Sequence, residues 1–370
     1  MTSRPRFTGM QGLSAVPSYV ILQPTTLCNL DCAYCYLPLR HDDRRMSTDV
    51  AYAVAKTVNG WAQQAPRFSV VWHGGEPMAA GPDRLAQLMA PFERVEHHLQ
   101  TNATLIDDEW CDFFRRHDVH IGLSIDGPAT HTANRIDRGG RPAYAKIVKG
   151  VESLRRNGIA FAALCVVSDP SPQLARELYP YFLELGCYAL GINIEEREGV
   201  NTRDTAYAEE RVRGFWAELT RLWRADPRIE LRDVEFAVRY LAELVHGDPD
   251  SVLPRRLDPI PTIAYDGSVV LLSPELAGFS DPHYGNFASG NVQDTPLDEI
   301  IFAAGRSRWI AEYLQGIENC RDTCAYFGFC GGGHAANRYF EHHRFDTTAT
   351  DHCRNSKIRL LEGVLDHAGA

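Results

Sequence analysis

The sequence predicts an α/β chain. A partial (β/α)6 TIM barrel covers residues 18–248, a small cysteine-rich α+β unit covers 249–370, and residues 1–17 form an N-terminal tail. Three observations carry this. Short β-rich runs alternate with longer amphipathic runs from about residue 18 to 245, and such repetition builds a parallel sheet with helices packed outside it. The alternation breaks near His246, where prolines at 249, 254, 259 and 261 resist both helix and central strand. The ten cysteines divide unevenly: three lie near the N-terminus, four between Cys320 and Cys353, and three are isolated.

The strands expected, in order, are Tyr19–Gln23, Phe68–Trp72, His97–Thr101, Val119–Ile125, Phe161–Val167 and Leu190–Ile194. Amphipathic helical stretches fall between them at Thr48–Gln63, Asp83–Phe92, Asp107–His117, Tyr144–Asn157 and Pro172–Leu185. Six such units make an incomplete barrel, with reactive groups expected at the C-terminal ends of its strands. Beyond the prolines, a hairpin is expected over Ile263–Leu272, turning at Asp266-Gly267. One helix around Leu297–Leu314 then leads into the cysteine- and glycine-rich end.

At 370 residues with 44% hydrophobic content, the chain can bury a barrel-sized core. The net charge of −10 argues against general nucleic-acid binding, which uses basic surface, and leaves room for a cationic peptide. No stretch reaches the ~18 apolar residues that span a bilayer. Residues 1–18 carry Arg4 and Arg6 but no continuous apolar run, so no secretory signal is read there, and a cytoplasmic location is expected. A reducing compartment keeps thiols free, which disfavours a disulfide framework. Cys111, Cys165 and Cys187, set among apolar residues, are expected to be core thiols.

Cys28, Cys32 and Cys35 lie in Cys-Asn-Leu-Asp-Cys-Ala-Tyr-Cys, just after the first strand. Three thiolates at this spacing can hold one corner of a [4Fe–4S] cube and leave one iron open. An open metal position marks a catalytic site. Zinc would ask for a fourth ligand, and none lies within this motif. The C-terminal set, Cys320-x3-Cys324-x5-Cys330 with Cys353 beyond it, can close a four-ligand cluster completely. Four cysteines also satisfy tetrahedral zinc.

The first motif resembles that of the radical S-adenosylmethionine (SAM) superfamily, in which the amino and carboxylate groups of SAM chelate the fourth iron. The resemblance extends beyond the cysteines. Tyr34 matches an aromatic position near the adenine. Gly74, Gly75 and Glu76, in Trp72-His73-Gly74-Gly75-Glu76-Pro77, look like the segment that meets the methionine amino group. Asn102 and Ser124, ending the third and fourth strands, resemble positions that reach the ribose and carboxylate, and Arg135 a position that holds the carboxylate. Asn193, in Gly191-Ile192-Asn193, would sit against the adenine. Outside the resemblance, Asn102 and Asp126-Gly127 also read as turn residues and Arg135 as a surface cation.

The C-terminal end resembles the SPASM extension found in many peptide-modifying members. The resemblance implies that Cys320, Cys324, Cys330 and Cys353 hold one auxiliary [4Fe–4S] cluster. The ligands of a second one are missing: Leu272 stands where a cysteine after the hairpin would be, and His334 replaces another. Members that mature sulfatases carry an aspartate base where this chain has Ser273, which argues against that activity. What the family implies is an electron from the reduced first cluster, cleavage of SAM, and a 5′-deoxyadenosyl radical that takes a hydrogen atom from carbon. A flavodoxin- or ferredoxin-type donor would supply the electron. Glu195, Glu196 and His334 are the candidate proton acceptors by placement.

Among peptide modifiers, the motif set looks most like the cyclophane-forming maturases, which join an aromatic ring carbon to a side-chain β-carbon in a ribosomal precursor peptide. Thioether formation, epimerisation and small-molecule dehydrogenation stand as the alternatives. The tail before the first strand is too short for a winged-helix leader-binding unit, so leader binding is expected elsewhere or not at all. No nucleic-acid or membrane partner is expected.

Overall fold

The computed structural model describes residues 12–65, 67–247 and 256–367. The strands run in chain order as β1 (Tyr19–Leu22), β2 (Phe68–Trp72), β3 (Val95–Thr101), β4 (Val119–Ser124), β5 (Phe161–Val167) and β6 (Ala189–Ile194). Between them stand α1 (Thr48–Ala62), α2 (Pro82–Met89), α3 (Asp108–Arg116), α4 (Tyr144–Arg156) and α5 (Pro172–Leu185). The helix starts follow local chemistry. The side chains of Ser47, Asp107 and Ser171 accept from the backbone N–H of Val50, Trp110 and Leu174, and so cap α1, α3 and α5. Gly186 ends α5 in the left-handed region at φ 82°.

Each neighbouring pair from β1 to β6 is parallel, in sequence order. Strands β2 and β5 alternate buried and half-buried positions, because one face meets the helices and the other the barrel interior. Helices α6 (Glu209–Ala225) and α7 (Arg232–His246) follow, with the two-residue β7 (Glu230–Leu231) between them extending the sheet beyond β6.

The hairpin of the C-terminal part is not a separate layer. Strand β8 (Thr262–Ile263) pairs parallel to β1, and β9 (Ser268–Val270) and β10 (Gly290–Asn291) add antiparallel beyond it. The result is one sheet of ten strands, order β10-β9-β8-β1-β2-β3-β4-β5-β6-β7. The sheet thus crosses the division read from the prolines. Pro249, Pro254 and the division itself lie outside the described residues, whereas Pro261 offers its carbonyl to the Ile21 N–H beside β1.

The single helix expected at Leu297–Leu314 is two: α8 (Leu297–Ala303) and α9 (Arg308–Thr323), separated by a tight turn at Ala304–Arg306 and an extended Ser307 (φ −75°, ψ 124°). The apolar spacing runs on across the break, so the sequence reading missed it. Helices α10 (Phe327–Cys330) and α11 (Ala335–His342) then carry the glycine-rich segment, Cys353–Ile358 winds as a π-helix, and α12 (Arg359–Leu365) closes the chain. Cys111, Cys165 and Cys187 are buried, as expected of core thiols.

The last helix returns to the barrel and locks onto α6. Arg359 pairs with Glu209 at 2.8 Å, Arg213 with Asp366 at 2.5 Å, and the Trp216 indole donates to the Asn355 carbonyl at 2.9 Å. At Gly363 the helices touch so closely that an added Cβ would meet the Ala217 nitrogen at 2.7 Å and the Arg213 carbonyl at 2.9 Å. Backbone atoms cannot swing aside as side chains do, so Gly363→Ala is expected to destabilise the protein by ~1–3 kcal/mol. Chemical denaturation checks this; unchanged stability would mean that α12 is not held against α6.

Candidate active site

The C-terminal ends of β1 to β6 open onto one cavity of about 360 Å³. Cys28, Cys32 and Cys35 line its floor on the loop after β1. That loop is held by its backbone: the Asp31 and Ala33 N–H groups donate to the Ile136 and Asn134 carbonyls at 2.8 and 3.0 Å, and the Cys28 N–H to Arg40 at 2.8 Å. Asn102 donates to Asn29 at 2.8 Å and reaches the Cys28 sulfur at 3.8 Å.

Gly75 and Glu76 have a structural task in this arrangement. Gly75 is left-handed at φ 63°, and a Cβ there would stand 2.6 and 2.7 Å from the carbonyls of Thr25 and Leu27. Glycine alone lets this turn press on the backbone leading into Cys28. Glu76 is buried and accepts from Met78 N–H (3.1 Å), Thr101 Oγ (2.8 Å) and Asn102 N–H (2.8 Å), tying the end of β2 to the end of β3. Burial pushes its carboxyl up to about 7 against those three donors.

Asp126, at the end of β4, is the densest polar node. It takes a bidentate pair from Arg135 at 2.8 and 3.0 Å, the Tyr34 hydroxyl at 2.5 Å and the Val166 N–H at 3.0 Å. The Arg135 guanidinium also lies over the Tyr34 ring, 5.4 Å from its centroid. Of the cofactor contacts expected from sequence, Tyr34, Gly75, Glu76, Asn102, Ser124, Arg135 and Asn193 all line the cavity. Gly74 does not; its face is covered by the Gln23 side chain. Arg135 is no surface cation: it is buried, with two of its nitrogens committed to Asp126.

The opposite wall is acidic. Glu195, Glu196, Glu198 and Glu275 line it with His334 and His352. Glu195 is paired with Asn201 at 3.1 Å and Arg203 at 3.4 Å. Burial opposes ionisation of Glu196, but His352, His334 and Asn337 outweigh it and hold its carboxyl down to about 2. Burial, with Glu196 and Glu275 nearby, holds the Glu198 carboxyl well above the usual range. Glu275 is pushed up to about 7 by burial, with Glu196 adding to it. Burial takes the His334 imidazole down to about 3, and His352 and Lys357 push the same way. Ser273, where the resemblance looked for a base, accepts from the Ala336 N–H at 3.1 Å and serves the start of α11. Sequence reasoning missed Glu275 and His352; only the position of His352 beside Cys353 could have signalled it.

Cys320, Cys324, Cys330 and Cys353 line a second, smaller hollow that shares His334 and Lys357 with the first. Arg338, buried, donates to the Cys320 sulfur at 3.3 Å, and the Thr350 N–H to Cys353 at 3.5 Å. Leu272, in the place of a missing ligand, is core.

Both thiol sets suit iron–sulfur clusters by their chemistry. None of the seven cysteines is in a disulfide. Burial pushes the Cys28 thiol up to about 12 and Cys32 to about 11, and also raises Cys35, Cys320 and Cys353. Such thiols ionise only when a metal supplies the opposing charge. One set offers three ligands and an open side onto the cavity; the other offers four.

The sequence matches the family model described as Radical SAM superfamily over residues 22–169. It is 33% identical to the uncharacterized protein sll1766 of Synechocystis sp., over 94% of this chain and 90% of that protein. It is 25% identical to a cysteine-type anaerobic sulfatase-maturating enzyme of Clostridium perfringens, over 86% of this chain and 88% of the enzyme. The fold matches the structure of native anSMEcpe with bound AdoMet at a TM-score of 0.73 and 22% identity, covering 94% of this chain and 97% of that one. It also matches Streptococcus suis SuiB bound to precursor peptide SuiA, at a TM-score of 0.63 and 15% identity, over 91% and 76%.

The Asp126 side chain is 1% exposed. Arg135→Ala would strand it without its counter-charge, at an expected cost of ~3–5 kcal/mol. Adding Asp126→Asn should restore much of that loss. Denaturation of both variants tests it, and equal losses would show that the two charges are not coupled.

Proposed function

Because the chain belongs to the radical SAM superfamily, we propose that this enzyme is a peptide maturase that closes an intramolecular cyclophane crosslink in a ribosomal precursor peptide. The observation that carries the reading is one cavity with three thiols on its floor, carboxylates on its far wall and four more thiols directly behind that wall. At about 360 Å³ it is at the small end of ligand sites, which run ~300–1,000 Å³. In this reading SAM takes up part of the cavity and the second substrate enters it by a side chain. A peptide suits that geometry better than a compact small molecule. Relatives of similar fold add support: SuiB was captured with its precursor peptide SuiA, and anSMEcpe with the Cp18Cys peptide.

Cys28, Cys32 and Cys35 would hold the SAM-binding cluster, and Cys320, Cys324, Cys330 and Cys353 the auxiliary one. Tyr34, Gly75, Glu76, Asn102, Ser124, Arg135 and Asn193 would shape the SAM site. Joining a β-carbon to a ring carbon breaks a C–H bond at each and forms one C–C bond; one hydrogen leaves as an atom, the other as a proton with an electron left over. When bound, SAM and the clusters supply the one-electron chemistry, taking up that hydrogen atom and that electron. The remaining proton falls to the chain's own residues. Glu196, ionised but held near 2, is a weak base, as is His334 near 3, and Glu198 stays protonated. Glu195 is engaged by Asn201 and Arg203. Glu275, near 7 and lining the cavity, has the affinity a proton acceptor at neutral pH needs.

The test is anaerobic co-expression with any short peptide encoded beside this gene, or else with a panel of short aromatic-containing precursor peptides, read by mass spectrometry for loss of two hydrogens. Loss of two hydrogens with an aromatic-to-β-carbon bond supports the crosslink. SAM cleavage by the purified enzyme with no peptide altered would overturn the peptide reading. Burial raises the Glu275 carboxyl, so its basic form grows as pH rises through about 7. Crosslinked product per SAM cleaved should therefore rise across that range. Glu275→Gln should lower the ratio ~100-fold or more and flatten its pH dependence; an unaltered profile would move the role elsewhere.

A further inference from the structure

Between the two thiol sites lies a third group of metal-binding side chains. Glu196, His334 and His352 each offer one donor atom, and these atoms all lie within 4.8 Å of one another. The two imidazoles stack with centroids 4.6 Å apart and planes 25° apart. Glu196 is steadied from behind by the Asn337 amide, which donates to Oε2 at 2.7 Å. Its other oxygen lies 3.2 Å from His352 Nδ1.

His352 makes this more than a cluster of polar residues. Its side chain is only 5% exposed, yet neither ring nitrogen has an aligned hydrogen bond; the approach of Nδ1 to Glu196 is close but off the bonding direction. A buried polar group without a partner costs free energy and calls for an explanation. The Ser356 hydroxyl, which lines the same cavity, is likewise unpartnered.

We infer that Glu196, His334 and His352 form a mononuclear site for a divalent transition-metal ion of the zinc or ferrous class, distinct from both cysteine sites. Donors bound ~2.1 Å from one ion lie at most about 4.2 Å apart. Around a tetrahedral ion the separations are about 3.4 Å, so donors lying within 4.8 Å of one another would close by at most about 1.4 Å on binding. Two imidazoles and one carboxylate suit zinc or ferrous ion and leave coordination positions open. Since all three residues line the main cavity, those positions face the space where a substrate carbonyl or carboxylate would enter. Asn337 then acts as the outer partner that orients the ligating carboxylate. The inference concerns metal binding alone and stands whether or not the substrate is a peptide.

Zinc is the probe that tests it. Full-length protein with both clusters reconstituted is incubated with a small excess of zinc sulfate and desalted. Zinc is counted per chain, and its coordination shell is read by X-ray absorption. The expected result is about one zinc per chain in a nitrogen and oxygen shell near ~2.0–2.1 Å, without the ~2.3 Å sulfur distance. His352→Ala and His334→Gln should each weaken zinc binding at least tenfold while iron content and cluster absorbance stay as in the wild type. Glu196→Gln keeps the side chain's shape and covers the case in which a histidine variant fails to fold. No retained zinc, a sulfur shell, or wild-type zinc content in the variants would overturn the site.

Discussion

The Asp126 carboxylate holds the working end of this enzyme together. It binds Arg135 through two hydrogen bonds, the hydroxyl of Tyr34 between the second and third cysteines, and the backbone of β5. The segment that carries Arg135 is also bonded, backbone to backbone, to the cysteine loop at Asp31 and Ala33. One buried anion thus fixes the loop after β1 against the ends of β4 and β5. A buried ion pair adds little net stability, but it is intolerant of losing one partner. That intolerance is useful in a loop that must hold three thiols at fixed spacing around a cluster.

The site then divides its charges by depth and partner. On the floor, burial keeps the thiols protonated unless a metal supplies positive charge. On the far wall, Glu196, Glu198 and Glu275 are buried near one another. His352 is the leading influence that holds the buried Glu196 carboxyl down, while burial, with repulsion from Glu196 behind it, raises Glu198 and Glu275. Residues of one chemical type are thereby driven to different protonation states within a single cavity. In the roles proposed above, that separation would let Glu275 accept a proton while Glu196 binds a metal ion.

Much of this was legible in the sequence, for identifiable reasons. Strands β2 and β5 have the bounds read from their apolar runs, and α5 is marked at both ends, by Ser171-Pro172 at its start and Gly186 at its close. The cysteine spacings and the Gly-Gly-Glu-Pro segment pointed to the right cavity. Helices α6 and α7 were not read from the sequence, and neither begins with a side-chain cap. The break before α9 was hidden because its apolar spacing continues. Arg135 looked like a surface cation because only the fold buries it against Asp126. Glu275 and His352 lie far along the chain from the residues they face, and no local motif distinguishes a carboxylate whose neighbours raise it from one in water.

The central claim is that this chain holds a SAM-cleaving cluster at Cys28, Cys32 and Cys35 and a second, fully ligated cluster at Cys320, Cys324, Cys330 and Cys353. The measurement that tests it most directly is the iron and sulfide content of anaerobically reconstituted protein, beside a variant with Cys28, Cys32 and Cys35 all changed to Ala. The account predicts about eight irons per chain falling to about four, as one of two [4Fe–4S] clusters is lost. About four falling to none, with zinc held by the C-terminal cysteines, would contradict it and leave the radical site without its neighbouring electron acceptor.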